Sequence, residues 1–319
     1  MVLAMNCHIQ FLASDKRPEI NLYRATAGHI ESTWKNLTGT AEITLPRNIR
    51  DFDKMNISQI FKRGDQVIIY LGVNGSLIEH FKGYIISTSA DIPVVIKCQD
   101  EMWKLKQLSV NISMNNCYLP NLIKTIAPGY EYSVSEYNIG SVRFAKTTAA
   151  AVMQTLRDDF GIYCFFRNNT LCAGKIYSDD SVTRNINLER IVSNNLTYKT
   201  KDEKSIKLTA TSTLIGGDKL TVELGEKDGE PRDFSYFNIT KKEDLKALAQ
   251  KDFDKIMADG FEGDIEIFGA QEVTHGDKLN ISSIIYPDRQ GLYYADSVIT
   301  DWKDAIYHKT VEVGQKVIV

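Results

Sequence analysis

Five cysteines (Cys7, Cys98, Cys117, Cys164, Cys172) and five histidines (His8, His29, His80, His275, His308) are the obvious candidates for nucleophiles or metal ligands. None of the cysteines forms a CxxC pair, and the histidines show no HExxH or other ligand spacing that would gather donors around one ion. Cys7-His8 is a lone dipeptide, too little to enclose a cation. Cys164 could in principle pair with a distant histidine, because catalytic partners need not be adjacent in sequence. It sits, however, in the aromatic run Ile162–Phe166, where the expected role is a buried core thiol. Cys164 and Cys172 flank a hairpin turn; a two- or four-residue loop points them to opposite faces, and only a three-residue loop would permit a disulfide. A reduced chain is therefore expected. The carboxylate pairs Asp158-Asp159 and Asp179-Asp180 are adjacent residues, and neighbouring side chains on a strand point apart. They read as solvated charges rather than a general acid and base. Trp34, Trp103 and Trp302 are too far apart in sequence to announce a sugar platform, and each fits a core or interface anchor. P-loop, GxGxxG, GxSxG and EF-hand patterns are all missing. The expectation is a protein with no catalytic residues, no metal and no cofactor.

The elements that must position these residues begin with the size of the chain. Its 319 residues correspond to about two domains of ~150 residues. With 43% hydrophobic and 25% charged residues, it has the composition of a folded globular protein rather than a disordered one. A net charge of −3 argues against binding nucleic acid through phosphate neutralisation. No apolar run reaches the ~18–20 residues of a membrane span, and Met1–Phe11 has no basic region or cleavage pattern of a signal peptide.

Residues 1–100 read as a series of strands separated by Pro, Gly, Asn and Asp. The clearest hairpin is Val67–Leu71, Asn74-Gly75 and Leu77–Phe81, since Asn-Gly accepts the positive φ of a tight primed turn. Pairing outward from it places Ile68, Tyr70, Leu77 and Phe81 on one face and Val67, Ile69, Leu71 and Ile78 on the other. Both faces are then largely apolar, so one needs a core and the other a covering partner. Residues 101–184 change to a small α/β pattern, with helices expected over Leu119–Ala127 and Thr147–Phe160. The second starts at a threonine, stops at Gly161 and is followed by a hairpin around Asn168-Asn169. Residues 185–319 return to strands, among them Lys278–Ile285, with a polar loop at Glu226–Arg232. A helical insertion is expected around 240–259, opened by the capping-box pattern Thr240–Glu243.

The two β regions resemble each other. Gly64-Asp65-Gln66-Val67-Ile68-Ile69 matches Gly276-Asp277-Lys278-Leu279-Asn280-Ile281, and Gly83–Ser87 echoes Gly291–Ser297. A true repeat would mean two related barrels in one chain. The expected fold is mainly β with α+β insertions: two related antiparallel β-barrels linked by a small α/β domain.

The order of segments resembles the bacteriophage baseplate (tail) hub family. That family includes late control protein D and the N-terminal hub part of type VI secretion spike proteins. The resemblance is carried by Phe61–Tyr70, Phe81-Lys82-Gly83-Tyr84-Ile85 and Pro93–Lys106, which match the family's GD-x-V, F-x-G-x-I and C-x-D segments. Ala149–Ala173 is similar to its middle domain, and Gly291–Lys316 to the end of its second barrel. The resemblance implies a structural, non-enzymatic baseplate hub of a phage, prophage or contractile injection machine. It implies a homotrimer whose six barrels form a pseudo-sixfold ring between the tail tube protein and a separate spike protein, since the sequence ends at Val319 without a spike segment. It further implies assembly in the bacterial cytoplasm and then residence in the virion tail or injection-machine baseplate, with no stable nucleic-acid binding. Candidate inter-subunit contacts are Phe52, Met55, Ile60 and Phe61 on the connection Pro46–Arg63, and Val67, Ile69, Leu71 and Ile78 on the hairpin. The alternative is a carbohydrate-binding or hydrolytic tail-tip accessory, which would require a cleft with clustered aromatics and close carboxylates.

Overall fold

A computed structural model describes residues 4–14, 17–46, 60–89, 93–303 and 306–317. The chain is mainly β with α+β insertions. Its first unit holds β1 (Met5–Phe11), β2 (Ile20–Leu22), β3 (Ala27–Thr33), β4 (Thr40–Leu45), β5 (Gln66–Val73), β6 (Ser76–Thr88) and β7 (Val94–Gln99), in the antiparallel order β3-β4-β7-β6-β5-β1-β2. Alternation along these strands sends every second residue inward. Ile9, Phe11, Ile43, Val67, Ile69, Leu71, Ile85 and Ile96 meet in one core, which Phe61 and Ile60 also enter.

The β5–β6 hairpin turns at Asn74-Gly75, with φ of 52° and 86°, as the two-residue primed turn requires. Its faces differ from those expected by simple pairing. A bulge sets Ile69 opposite Phe81 but Tyr70 opposite Glu79, with His80 as the extra residue. One added residue flips everything beyond it, so Phe81 joins Val67, Ile69 and Leu71 in the core. The other face carries Lys82 opposite Ile68 and Glu79 opposite Tyr70. The hairpin thus has one apolar face and one mixed face, not two apolar ones.

The middle unit contains α1 (Met102–Leu105), β8 (Ser109–Met114), α2 (Leu119–Ile126), β9 (Glu131–Val134), β10 (Val142–Thr148), α3 (Ala149–Phe160), β11 (Cys164–Arg167) and β12 (Thr170–Ala173). Leu122, Ile123, Ile126, Val152, Met153 and Leu156 pack the two longer helices onto the small sheets. At the start of α3, Thr148 Oγ1 accepts the Ala151 N–H at 3.2 Å, and Gly161 ends the helix at φ 65°, as the sequence predicts. Asn168 and Asn169, at φ 48° and 64°, close the β11–β12 hairpin in two residues. Cys164 then faces Ala173 and Cys172 faces Phe165, so the two thiols lie on opposite faces and both are free.

The second unit runs from β13 (Thr183–Asn187), β14 (Ser193–Asn194) and β15 (Thr197–Lys199) to an insertion. That insertion holds β16 (Ile206–Thr213), β17 (Lys219–Gly225), β18 (Glu230–Phe237) and α4 (Lys242–Met257). It is larger than the expected helix alone. β16 lies between β17 and β18, and Leu208, Ala210 and Val222 pack on Leu245 and Ala249 in a core of their own. Part of the expected polar loop is therefore strand. The capping box at Thr240–Glu243 does not form: the helix is capped at Lys241 without a side-chain bond, which leaves Glu243 one position too early to reach back. That motif occurs instead at Thr200 and Glu203. The unit is completed by β19 (Gly260–Phe268), β20 (Lys278–Ser282), β21 (Gly291–Lys303) and β22 (Ile306–Lys316).

The suspected repeat is present in the backbone. In the first unit the Gly64 N–H donates to the Ile85 carbonyl (2.8 Å) and the Ile85 N–H to Asp65 (2.9 Å). In the second, Gly276 donates to Ala295 (2.7 Å) and Ala295 to Asp277 (2.9 Å). Both glycines have positive φ, 93° and 88°, a conformation that costs glycine little. Asp65 accepts the Lys62 N–H and pairs with Arg17 at 2.9 Å. Asp277 accepts the Thr274 N–H and pairs with Arg184 at 3.1 Å. Among the described residues, fourteen strands of the two units share one sheet because β21 pairs with β3 from Ser297↔Thr33 to Lys303↔Ala27.

The two ion pairs differ in burial: Arg17 and Asp65 are 9% and 10% exposed, whereas Arg184 is 30% exposed. Removing one partner of a buried pair leaves an uncompensated charge, at a cost of about 3–5 kcal/mol. Asp65→Ala is expected to lower the urea unfolding free energy by that amount and Asp277→Ala by clearly less. Equal losses would contradict this ranking.

Candidate functional site at the junction of the units

A cleft of about 310 Å³ opens where the two β units and the tip of the middle hairpin meet. β3 supplies Glu31 and Ser32, β6 supplies Ile78, His80 and Lys82, and the turn after β7 supplies Asp100. Asn168 and Asn169 come from the middle unit, and Arg184, Glu272, Thr300 and Lys309 from the second. Its polar groups are mostly committed to holding the walls. Asp100 accepts the Gly39 N–H at 2.7 Å and the Met102 N–H at 3.0 Å, which joins the end of β7 to the β3–β4 turn and to α1. Burial raises its carboxyl to about 7. Lys309 donates to the Gln271 carbonyl at 2.7 Å, and burial lowers its ammonium to about 8. His80 Nε2 lies 2.8 Å from the Tyr307 hydroxyl and Nδ1 lies 3.1 Å from the Ile78 carbonyl. A neutral ring satisfies both contacts, and burial lowers its pKa to about 4.

Ser32 Oγ and His275 Nδ1 are 2.7 Å apart beside this cleft, a pair that the sequence did not reveal. A serine nucleophile needs a histidine that can take its proton and a third group that orients the ring. His275 Nε2 is buried with no partner, the Phe165 ring lies against the imidazole, and desolvation lowers its pKa to about 3. The ring is poorly suited to serve as a base and is held as a packing element. Among the described residues no cluster of three His, Cys, Asp or Glu side chains could hold a metal ion. The tryptophans stay apart: Trp34 packs edge-on to Tyr163, Trp103 stacks on Tyr84, and Trp302 lies in the first unit's core.

Of the candidate inter-subunit residues, Phe52 and Met55 lie outside the described residues. Ile60, Phe61, Val67, Ile69 and Leu71 are all buried in the first unit's own core, so in this conformation they offer no area to a second subunit. Ile78 is half-buried on the cleft wall. The β20 strand ends at Ser282, earlier than the expected Lys278–Ile285. Ile284, Ile285 and Tyr286 therefore leave the sheet and stand exposed.

No protein-family model matches the sequence, and no curated protein matches it. Solved structures do. A tail protein from Neisseria meningitidis is 12% identical, with 98% of this chain and 97% of that one covered at a TM-score of 0.64. The 43 kDa tail protein of prophage MuSo2 from Shewanella oneidensis is 11% identical, with coverage of 97% and 98% and a TM-score of 0.63. An Escherichia coli component of the type VI secretion system, described as similar to the T4 tail proteins gp27 and gp5, is 8% identical. It covers 96% of this chain and 76% of its own at a TM-score of 0.56. Over 97–98% of its length the chain thus aligns with the fold of these tail proteins.

The buried histidines give the fold a defined acid response. His80 and His275 stay neutral when folded, whereas the unfolded chain protonates below about pH 6.5. Their contribution is fully present above that pH and is lost as the pH falls toward 4 for His80 and toward 3 for His275. Each imidazole adds about 1.4 kcal/mol per pH unit to the slope. In urea denaturation between pH 7 and 5, His275→Asn should lose stability less steeply than the parent. Parallel declines would show that the His275 imidazole is not shielded.

Proposed function

We propose that this chain is a structural, non-enzymatic hub subunit of a phage, prophage or related contractile injection tail. Three copies form a pseudo-sixfold ring between the tail tube and a separate spike protein. The observation that carries this reading is the duplicated glycine–aspartate turn, with the same backbone bonds and the same Asp–Arg pairing in both β units. Two equivalent units per chain let a trimer present six similar lobes, which is what a joint between a sixfold tube and a threefold partner needs. Full-length likeness to tail proteins and to a type VI secretion component supports the same assignment. The junction cleft, with its polar groups bonded to its own walls, fits a rigid connector better than a reaction site.

In this reading residues 1–100 and 185–319 are the two ring-forming domains and residues 101–184 are the linker domain between them. The protein assembles in the bacterial cytoplasm and then resides in the tail baseplate. It binds no nucleic acid stably. Among the described residues no helix is long and apolar enough to cross a membrane. Phe52, Met55 and Ile78 remain the candidate inter-subunit contacts in this reading.

Electron microscopy and native mass spectrometry of the chain co-expressed with its tube and spike partners test the proposal. The expected particle contains three copies in a ring with six lobes and a central hole. A persistent monomer that binds neither partner would overturn it.

A further inference from the structure

The two repeats part at the tips of their hairpins. In the first, Asn74-Gly75 closes β5 onto β6, and the tip is polar and tied down. The Ala4 N–H donates to Asn74 Oδ1 at 2.9 Å, and the Gly75 N–H donates to Asn6 Oδ1 at 2.7 Å. In the second, β20 and β21 are joined by residues 283–290, where Ile284, Ile285 and Tyr286 are 74%, 68% and 50% exposed. Three consecutive large apolar side chains facing water form a patch of the kind that marks an interaction site.

The loop is built to hold them there. The Glu189 carboxylate accepts hydrogen bonds from Ser283 Oγ (2.6 Å), the Ile284 N–H (3.0 Å) and the Ile285 N–H (3.3 Å). Ser283 Oγ in turn accepts the Tyr286 N–H at 3.0 Å. On the far side the Arg289 guanidinium lies 4.6 Å from the Tyr286 ring and 5.3 Å from the Tyr198 ring. A loop fixed before binding loses less freedom on binding.

We infer that the tip Ile284-Ile285-Tyr286 is the docking element for the threefold spike, seated in an apolar groove repeated three times at the spike's base. This rests on the hub reading. The matching ladders around Asp65 and Asp277 set both hairpins in the same sense relative to their units. The steps β21-β3-β4-β7-β6 are all antiparallel, so β6 and β21 run in the same direction and both tips lie at one end of the shared sheet. In a ring of three such chains all six tips face one end. A sixfold tube seated on that end would meet three short polar tips and three long apolar ones, and its identical subunits could not all bind alike. A threefold partner meets three identical apolar tips. The symmetry of the partner is thus written into the difference between the repeats.

Site-specific photocrosslinking in tail particles from producing cells tests this, with benzoylphenylalanine placed at position 285 or, as a comparison, at position 74. Residue 285 is expected to crosslink to the spike chain, at least tenfold more than residue 74. The doubly substituted Ile284→Ser, Ile285→Ser chain should keep its melting temperature and its place in the ring while the particles lose their spike. Crosslinking of residue 285 to the tube protein or to a second copy of this chain would overturn the inference, as would full spike retention in the double variant. Imaging of the same particles separates the two levels. A particle with no threefold ring of this chain refutes the hub reading itself, whereas an intact ring with the wrong crosslink refutes only the assignment of the loop.

Discussion

The backbone ladder between β21 and β3 is the constraint on which the rest of the architecture depends. β21 spends its first residues pairing with β20 inside the second unit and its last residues pairing with β3 of the first. Trp302 and Tyr307 then enter the first unit's core, so that core is completed only by side chains from the end of the chain. Gly28 makes this approach possible, since a Cβ there would lie 2.0 Å from the Trp302 ring. Two β units that could have been separate domains are thereby welded through hydrogen bonds and shared burial. The junction cleft exists because the weld brings their walls together.

A polar network reinforces the weld from the middle unit. Lys35, just after β3, reaches Glu312 at 2.6 Å and Asp296 at 3.2 Å, and Asp296 also accepts the Tyr177 hydroxyl. Arg157 of α3 donates to the Lys35 carbonyl at 2.7 Å, and the Tyr177 ring stacks on Tyr294 at 4.1 Å. All three units thus share one set of charge-assisted bonds, which are stronger and more directional than neutral ones. Relative motion would break several at once. Such stiffness suits a component whose work is to hold geometry.

Duplication and divergence are visible side by side in the two units. The glycine–aspartate turn is retained in both because its positive φ and its buried aspartate acceptor leave few substitutes. Hairpin tips carry no such demand: they lie at the surface, outside the ladder, and tolerate changes in length and polarity. Residues 283–290 used that freedom, while Asn74-Gly75 kept the shortest closure. One scaffold can therefore present similar flanks and different tips.

How much was legible in the residues follows the range of the forces involved. Local chemistry determined the Asn-Gly and Asn-Asn turns, the Thr148 and Gly161 ends of α3, and the repeat around Asp65 and Asp277, whereas the loop length left open by the sequence decided the opposed Cys164 and Cys172. Each depends on neighbours a few positions away and on backbone sterics that the sequence states directly. The bulge at His80 escaped because an extra residue has no cost visible in one strand alone; it is decided by which partner packs where. The strand β18, part of which reads as a polar loop, and the true cap of α4 were hidden for the same reason. Nor did spacing reveal the Ser32–His275 contact or the cleft around Asp100, whose members lie up to hundreds of positions apart. The sequence by itself determined most of the strands, the tight turns and the doubled unit. Only the tertiary structure decided which apolar faces became interior and which side chains, like Ile284 and Ile285, stand exposed, because burial belongs to the assembled chain and not to any segment of it.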